Sequence, residues 1–462
     1  MPAFNPDVLE GWTGGRWASR PPAPLLGFSV DSRRLSPGHA FVALKTARRD
    51  GHDYLGEALK AGASAAIVSR SVAEVAIPQL VVPDPLAALQ AIAREHRRAF
   101  KGPVVGITGS AGKTSTKELL ALALGGEAGG VLSTEGNLNN HIGVALTLCR
   151  LEHGSHRLAV IEAGISAPGE MAVLAGMIEP DMAIVTLVAP AHLADLGGLD
   201  AVAREKAVLL YAVKAGGTAI FPADCADYAS FASLPPAHCM VLGLAPASRP
   251  GAVSYSVRHD GDRTTVSVGL KTGNATVNLR RTTDGMARNV AMTICAATGL
   301  GATVDEIQRR LVSWRPSQLR GEWKVSEGRR IYLDCYNANP ASMADALATF
   351  EAVAPAAEPR LLVVGCMEEL GAESEKYHFE LGGSIHLRKQ DHLVAVGGLA
   401  GSIRSGVLAA GANASQVEIT ETIAPLASRL SSFRGAIFVK GSRRHELEKA
   451  FIVGELAGVA HA

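Results

Sequence analysis

Between a short apolar run and a helical stretch lies Val104-Val105-Gly106-Ile107-Thr108-Gly109-Ser110-Ala111-Gly112-Lys113-Thr114-Ser115-Thr116. Few sequences restrict a fold as tightly. Val104–Thr108 reads as a buried strand, Thr114–Leu124 as a helix, and small residues join them. Backbone N–H groups in such a turn, together with the helix N-terminus, can cradle phosphate oxygens. Lys113 adds charge, and Thr114 offers a hydroxyl to Mg²⁺. The general pattern wants a glycine where this chain has Ile107, so the loop is a shorter GxxGKT variant. The same residues also suit a plain strand–turn–helix with a surface lysine. The context of strand before and helix after points instead to ATP or GTP, held by Gly109, Ser110, Ala111, Gly112, Lys113, Thr114 and Ser115.

Such a loop needs a parallel sheet behind it, and the flanking sequence supplies one. Leu158–Ile161 and Met182–Val188 are further apolar runs alternating with helical stretches, which predicts a parallel sheet covered on both faces. Upstream, strands at Phe41–Leu44 and Ala65–Val68 precede a helix over Leu86–Phe100, which stops at Lys101-Gly102-Pro103. Between Val253 and Leu279 the apolar period falls to two, which predicts hairpins forming an antiparallel appendage. Helices follow over Asn289–Thr298 and Val304–Ser313. Strand–helix alternation resumes after Trp314-Arg315-Pro316, with strands at Ile331–Leu333, Leu361–Val364, Leu393–Val396 and Ile437–Val439. An α/β chain of three domains results, 1–101, 102–315 and 316–462. At 462 residues the length agrees with that division.

Composition narrows the function. Lys and Arg number 45 against 44 Asp and Glu, so no basic surface invites nucleic acid or an anionic membrane. No segment approaches the ~20 apolar residues that span a bilayer. Met1–Trp12 lacks the basic and apolar regions of a secretory signal. The six cysteines are scattered without metal-ligand spacing, as reduced thiols of the cytoplasm would be. A soluble cytoplasmic enzyme is expected.

Reading outward from the loop, the chain resembles the Mur ligases, ATP-dependent amide-forming enzymes of peptidoglycan precursor synthesis. Thr108–Glu118, Gly136-Asn-Leu-Asn-Asn-His-Ile-Gly143, Glu162-Ala-Gly164 and Ala191-His192-Leu193 carry the resemblance in the middle of the chain. Tyr336-Asn-Ala-Asn-Pro340, Met367-Glu-Glu-Leu-Gly371 and Val439-Lys-Gly-Ser-Arg443 carry it toward the end, and Asp31-Ser32-Arg33 near the start. Within the family the likeness is to the branch that joins D-alanyl-D-alanine to UDP-N-acetylmuramoyl-tripeptide. It implies an N-terminal UDP-sugar domain, a central ATPase domain and a C-terminal Rossmann-like domain for the amino substrate. It also implies a monomer with no partner beyond its substrates.

The family's route transfers the γ-phosphoryl of ATP to the substrate carboxylate, and the incoming amine displaces phosphate from the acyl phosphate. Both partners of the first step are anions, so the site must supply positive charge. The resemblance makes Lys113, Glu162, His192 and Lys206 the catalytic set, with Thr114, Glu162, His192 and Lys206 around Mg²⁺, two ions in all. Lys206 aligns with a lysine that the family carbamylates, turning a cation into an oxygen ligand. Taken alone, Glu162 is a structural residue after a strand, and Lys206 is a solvated lysine on a helix beginning near Leu199. Asn289, Arg320 and Asp334 are implied on the nucleotide. Ser32, Arg33 and Thr46 are implied on the UDP side, Thr134, Asn137, Asn139 and Asn140 on the muramoyl-peptide, and Asn337 and Asn339 on substrate in the C-terminal domain.

Departures from the family pattern are Arg288 and Met292 around Asn289, Ala207-Val208 after Lys206, Lys45-Thr46 in the first domain, and Cys335 and Cys366 in the last. The diaminopimelate- and lysine-adding relatives carry a DNPR-like motif that is missing here. Folylpolyglutamate synthetase shares the mechanism but lacks the Asp31-Ser32-Arg33 domain. A nucleotide-binding paralogue without ligase chemistry is the remaining alternative, and retention of the four catalytic residues argues against it.

Overall fold

The computed structural model describes residues 2–245, 252–326 and 328–451, and within them three sheets. The first has five strands in the order Arg16–Trp17, Gln79–Val81, Ala65–Val68, His39–Val42, Gly27–Ser29. All its pairings are parallel except that of Arg16–Trp17. The central sheet has nine strands. Its parallel core runs Thr218–Pro222, Met182–Val185, Val104–Thr108, Leu158–Glu162, Val131–Ser133. Val104–Thr108 is therefore an inner strand, and all five of its residues are buried, which explains its continuous apolar run.

The period-two segment forms the expected antiparallel hairpins, and they extend the central sheet itself. Cys239–Leu244 pairs in parallel with both Thr218–Pro222 and Val253–Asp260. The antiparallel strands Val253–Asp260, Arg263–Leu270 and Gly273–Arg280 then continue the same sheet. Only their inner face is buried, through Val266, Val268, Ala275, Val277 and Leu279, so the period-two alternation marks hairpins at a half-exposed sheet edge. The covering helix, Asp284–Gly299, starts earlier than Asn289 because the Thr283 side chain caps its first turn, accepting from the Met286 amide.

The third sheet has six strands in the order Glu322–Ser326, Arg329–Asp334, Gly435–Lys440, Arg360–Gly365, His392–Val396, Val417–Thr420. Only Glu322–Ser326 runs antiparallel, and it and Val417–Thr420 are strands that the sequence reading passes over.

The joints between sheets differ. The helix Pro85–Ala99 is capped by Asp84, which accepts from the amides of Leu86 and Ala87 at 2.7 and 3.2 Å. Its buried Arg97 donates to the carbonyls of Ile178 and Glu179 at 2.8 Å and to Asp181 Oδ2 at 2.6 Å. The same Asp181 oxygen accepts from the Val104 amide at 2.8 Å. One apolar core runs from Phe4 and Leu25 through Leu89 and Ile92 to Leu148, Ile161 and Leu174. The first two units are thus packed as one, whereas the third keeps its own clusters around Phe350 and Phe438 and around Leu361 and Val439. Among the described residues no helix is long and apolar enough to cross a membrane, and all six cysteines are free thiols.

Candidate active site

A cleft of about 1300 Å³ opens between the central and C-terminal units, at the carboxyl ends of the central strands, where an open parallel sheet places its ligands. The phosphate loop forms its floor. Gly112 has φ 79°, a conformation that glycine adopts without strain, and a Cβ there would lie 2.4 Å from Asn289 Nδ2. The loop is tied down from beneath: Ser110 Oγ donates to the Ala189 carbonyl at 2.8 Å and accepts from the Ala189 amide at 3.0 Å. Thr186 Oγ1 donates to the Ala111 carbonyl at 2.5 Å. Thr186 and Ala189 carry no motif, so nothing in the sequence marks them as loop supports.

Lys113 folds back on this loop, its Nζ donating to the Gly109 carbonyl at 2.8 Å. Burial lowers its pKa, Glu162 opposes that shift, and the Arg320 guanidinium from the C-terminal unit adds to it. Across the loop, Glu162 ends the strand Leu158–Glu162 and is 1% exposed. Its Oε1 accepts from Thr114 Oγ1 at 3.1 Å and from Asn139 Nδ2 at 2.8 Å. Its Oε2 is buried with no hydrogen-bond partner. An unpartnered buried carboxylate oxygen beside a hydroxyl is costly unless something polar fills the space, and a divalent cation suits it.

Thr134 sits behind this group and not on the cleft. It is 1% exposed, its Oγ1 accepts from the Glu162 amide at 2.9 Å, and its carbonyl accepts from Lys117 Nζ at 2.9 Å. Its hydroxyl is engaged by the Glu162 amide and its carbonyl by Lys117, so Thr134, expected on the muramoyl-peptide, is buried behind the cleft wall in this structure. Asn137, Asn139 and Asn140 do line the cleft. Asn140 Oδ1 also accepts from the Gly143 amide at 2.8 Å, opening the helix Gly143–Leu148.

His192 lines the cleft in a left-handed conformation, φ 55°. Burial lowers its pKa, Glu369 opposes that, and Lys113 and Lys206 add to the lowering. Lys206 lies on the helix Leu199–Tyr211, as its spacing predicts, yet it is 2% exposed. The solvated-lysine reading fails because this helix packs against Glu170–Ile178 and the Met182–Val185 strand. Burial first, and Lys113 second, bring the Lys206 pKa down to about 7. Among the described residues no three His, Cys, Asp or Glu side chains cluster as metal ligands.

The C-terminal unit forms the roof. Arg320 stacks on the Tyr336 ring, its Cζ 3.7 Å from the centroid. Asp334 accepts from the buried Lys440 Nζ at 2.7 Å, and the Asn337 carbonyl accepts from the same Nζ at 3.0 Å. Lys440 belongs to a quoted motif without having been given a role there. Asn339 caps the helix Pro340–Val353 through Oδ1 and donates from Nδ2 to the Ser110 carbonyl at 3.2 Å. Asp345, which nothing in the sequence singles out, accepts from the Gly285 amide at 3.0 Å, and its burial raises its pKa.

Three expected contacts stay outside this cleft. Arg33 is bound by its own neighbour Asp31 at 2.8 and 2.9 Å, and Ser32 Oγ donates to Glu57 at 3.4 Å. Thr46 Oγ1 accepts from the amides of Arg48 and Arg49. All three belong to the first unit.

A phosphate loop faced by a buried carboxylate and roofed by a second α/β unit defines a nucleotide-dependent enzyme that works between domains. The chain belongs to the Mur ligase family. Residues 26–97 match the family's catalytic domain, 107–297 the Mur ligase middle domain, and 319–443 the glutamate ligase domain. The chain is 33% identical to the Escherichia coli UDP-N-acetylmuramoyl-tripeptide–D-alanyl-D-alanine ligase over 96% of this chain and 95% of that one. It is 30% identical to the Bacillus subtilis ligase of the same name, over 83% and 82%. Its structure is similar to a crystal structure of MurF from Acinetobacter baumannii, with TM-score 0.86, 27% identity and coverage of 97% and 98%. It is also similar to the Thermotoga maritima MurF ligase in complex with ADP, with TM-score 0.78, 26% identity and coverage of 92% and 96%.

Proposed function

We propose that the chain is an ATP-dependent, ADP-forming ligase that joins D-alanyl-D-alanine to the terminal carboxylate of UDP-N-acetylmuramoyl-tripeptide in peptidoglycan precursor synthesis. One observation carries this reading: Thr114 and Glu162, 3.1 Å apart at the head of the phosphate loop, present an unpartnered carboxylate oxygen to a cleft that a second domain covers.

In the first step the carboxylate oxygen of the tripeptide forms a bond to the γ-phosphorus while the bond from that phosphorus to the bridging oxygen breaks, and ADP leaves. The free amine then attacks the acyl carbon, phosphate departs with the acyl oxygen, and the ammonium loses a proton to leave an amide. Lys113 and Arg320 supply the positive charge that two approaching anions require. Asn289 borders the base, Asp334 suits the ribose hydroxyls, and Gly109 to Ser115 hold the phosphates.

Thr114, Glu162, His192 and a carbamate on Lys206 are the donors for Mg²⁺, two ions in all. Mg²⁺ prefers oxygen, so the hydroxyl, carboxylate and carbamate are the stronger ligands, with the His192 imidazole beside them. Bound there, Mg²⁺ would neutralise charge on the transferring phosphoryl group. An amine with a pKa near 7 is about half unprotonated at neutral pH, where an ordinary lysine is almost wholly protonated, and the unprotonated form is the one that adds to CO₂.

Ser32, Arg33 and Thr46 are assigned to the UDP end, Asn137, Asn139 and Asn140 to the muramoyl-peptide, and Asn337 and Asn339 to the incoming dipeptide. Boundaries at 101/102 and 315/316 separate the three working units, and the enzyme acts as a cytoplasmic monomer where nucleotides and free thiols coexist.

The test is ADP release with UDP-N-acetylmuramoyl-tripeptide and D-alanyl-D-alanine, each omitted in turn. Release that requires both supports the reading. Release that ignores the dipeptide overturns it.

A further inference from the structure

His192 and Glu369 come from different domains and meet at the mouth of the cleft. His192 Nδ1 lies 2.5 Å from Glu369 Oε2, although the nitrogen is not aligned for a hydrogen bond. The two loops touch along their length. The Ala194 amide donates to the Glu369 carbonyl at 3.4 Å, and a Cβ on Gly371 would lie 3.2 Å from Ala194 Cα. Both side chains are held in left-handed backbone, φ 55° for His192 and 64° for Glu369. Each such residue costs about 1 kcal/mol or more, and conformations of this kind persist where the surroundings enforce them, often at functional sites. Packing of the apolar core does not account for the pair, since the Glu369 side chain is 55% exposed and that of His192 is 24% exposed.

We propose that Glu369 is a positioning residue for His192: docking of the C-terminal domain brings its carboxylate to Nδ1, where a turn of the ring to donate Nδ1–H fixes the imidazole tautomer and leaves Nε2 as the nitrogen that can face the cation. An imidazole beside a metal characteristically gives its other N–H to a carboxylate, which sets ring orientation and raises basicity. Here that carboxylate arrives only with the domain that also brings Arg320 over the phosphate loop. The His192 donor and the Arg320 charge are therefore completed by one event, so the cation site is finished only when the roof is on. This inference rests on the nucleotide-ligase reading above.

The test uses Mn²⁺ as the probe, titrated by EPR against the full-length chain with ADP present, so that no peptide substrate enters. Glu369→Ala should weaken Mn²⁺ binding on the order of ten-fold and lower kcat, with the KM for ATP within about two-fold of wild type. Glu369→Gln keeps the shape and a neutral acceptor, and should recover part of the loss. In a His192→Ala background, Glu369→Ala should add nothing further, because its effect passes through the ring. Wild-type Mn²⁺ affinity in folded Glu369→Ala overturns the proposal, as do fully additive losses in the double variant. Failure of the ligase reading would show separately, in wild-type ADP release that ignores one of the two substrates.

Discussion

Asn339 donates its side-chain amide to the carbonyl of Ser110, 3.2 Å away across the domain boundary. The residue that starts a C-terminal helix is thereby in direct contact with the phosphate loop. Asn339→Ala removes the helix cap and this contact together. The cap alone is worth about 1 kcal/mol, so thermal unfolding should begin at lower temperature. Asn339→Asp retains the capping oxygen but loses the donor to Ser110. It should keep most of the stability while lowering kcat, and a calorimetric scan paired with ADP release separates the two losses.

Lys113→Ala should abolish turnover, on the order of a thousand-fold or more, because it removes the loop charge proposed to meet the transferring phosphoryl group. The fold should survive. Burial disfavours the Lys113 ammonium, so its removal does not strip out a stabilising group. Unfolding temperatures at or above wild type, together with lost ADP release, are the expected pair of results. Near-normal activity in the folded variant would remove the nucleotide site from this loop.

Gly112→Ala tests the loop by shape alone. An added methyl would sit 2.4 Å from Asn289 Nδ2 at a residue with φ 79°. Both the strain and the displaced Asn289 act on the nucleotide pocket, so ADP affinity measured by calorimetry should fall at least ten-fold. Unchanged affinity would mean that Asn289 does not border the base.

Lys206 makes a prediction in pH. Its pKa falls from 10.5 to about 7 on folding, so the folded chain holds fewer protons than the unfolded chain between those values. Its destabilising contribution is full below pH 7 and is relieved as pH rises toward 10.5. In CO₂-free buffer, Lys206→Met should gain most stability over wild type near pH 6 and progressively less toward pH 10. A constant difference would refute the shifted pKa. In the assay, removal of CO₂ and bicarbonate should slow wild type, and acetate should partly restore Lys206→Ala by standing in for the carbamate oxygens. Wild-type kinetics in Lys206→Ala would refute the carbamate.

The sequence states its parallel strands well because burial on both faces leaves unbroken apolar runs. Val104–Thr108 and Ala65–Val68 have the same limits in the sequence reading and in the structure. Strands at sheet edges escape that logic. Glu322–Ser326 pairs on one side only and interleaves Glu322 and Lys324 with Trp323 and Val325, so no apolar run announces it. The phosphate-loop segment was legible as a strand–turn–helix because its parts are adjacent in sequence, and Ser110 to Ser115 all line the cleft. The supports were not. Thr186, Lys440 and Asp345 act on residues 75, 106 and 60 positions away, and no spacing rule connects them. The place of Thr134 behind Glu162 was hidden for the same reason, since its hydroxyl is taken by an amide 28 residues on.

Arg97 gives the two chain junctions unequal character. Its guanidinium reaches Ile178, Glu179 and Asp181, and the apolar core passes beneath it from Phe4 to Leu174 without a gap. A chimaera cut at residue 101 would leave this arginine facing foreign carbonyls and split one interior into two unmatched halves. The second junction asks for far less, since each side already owns a finished interior. Exchange of the last third between relatives is the chimaera this packing should tolerate best, whereas the first two thirds share one interior and should be exchanged together.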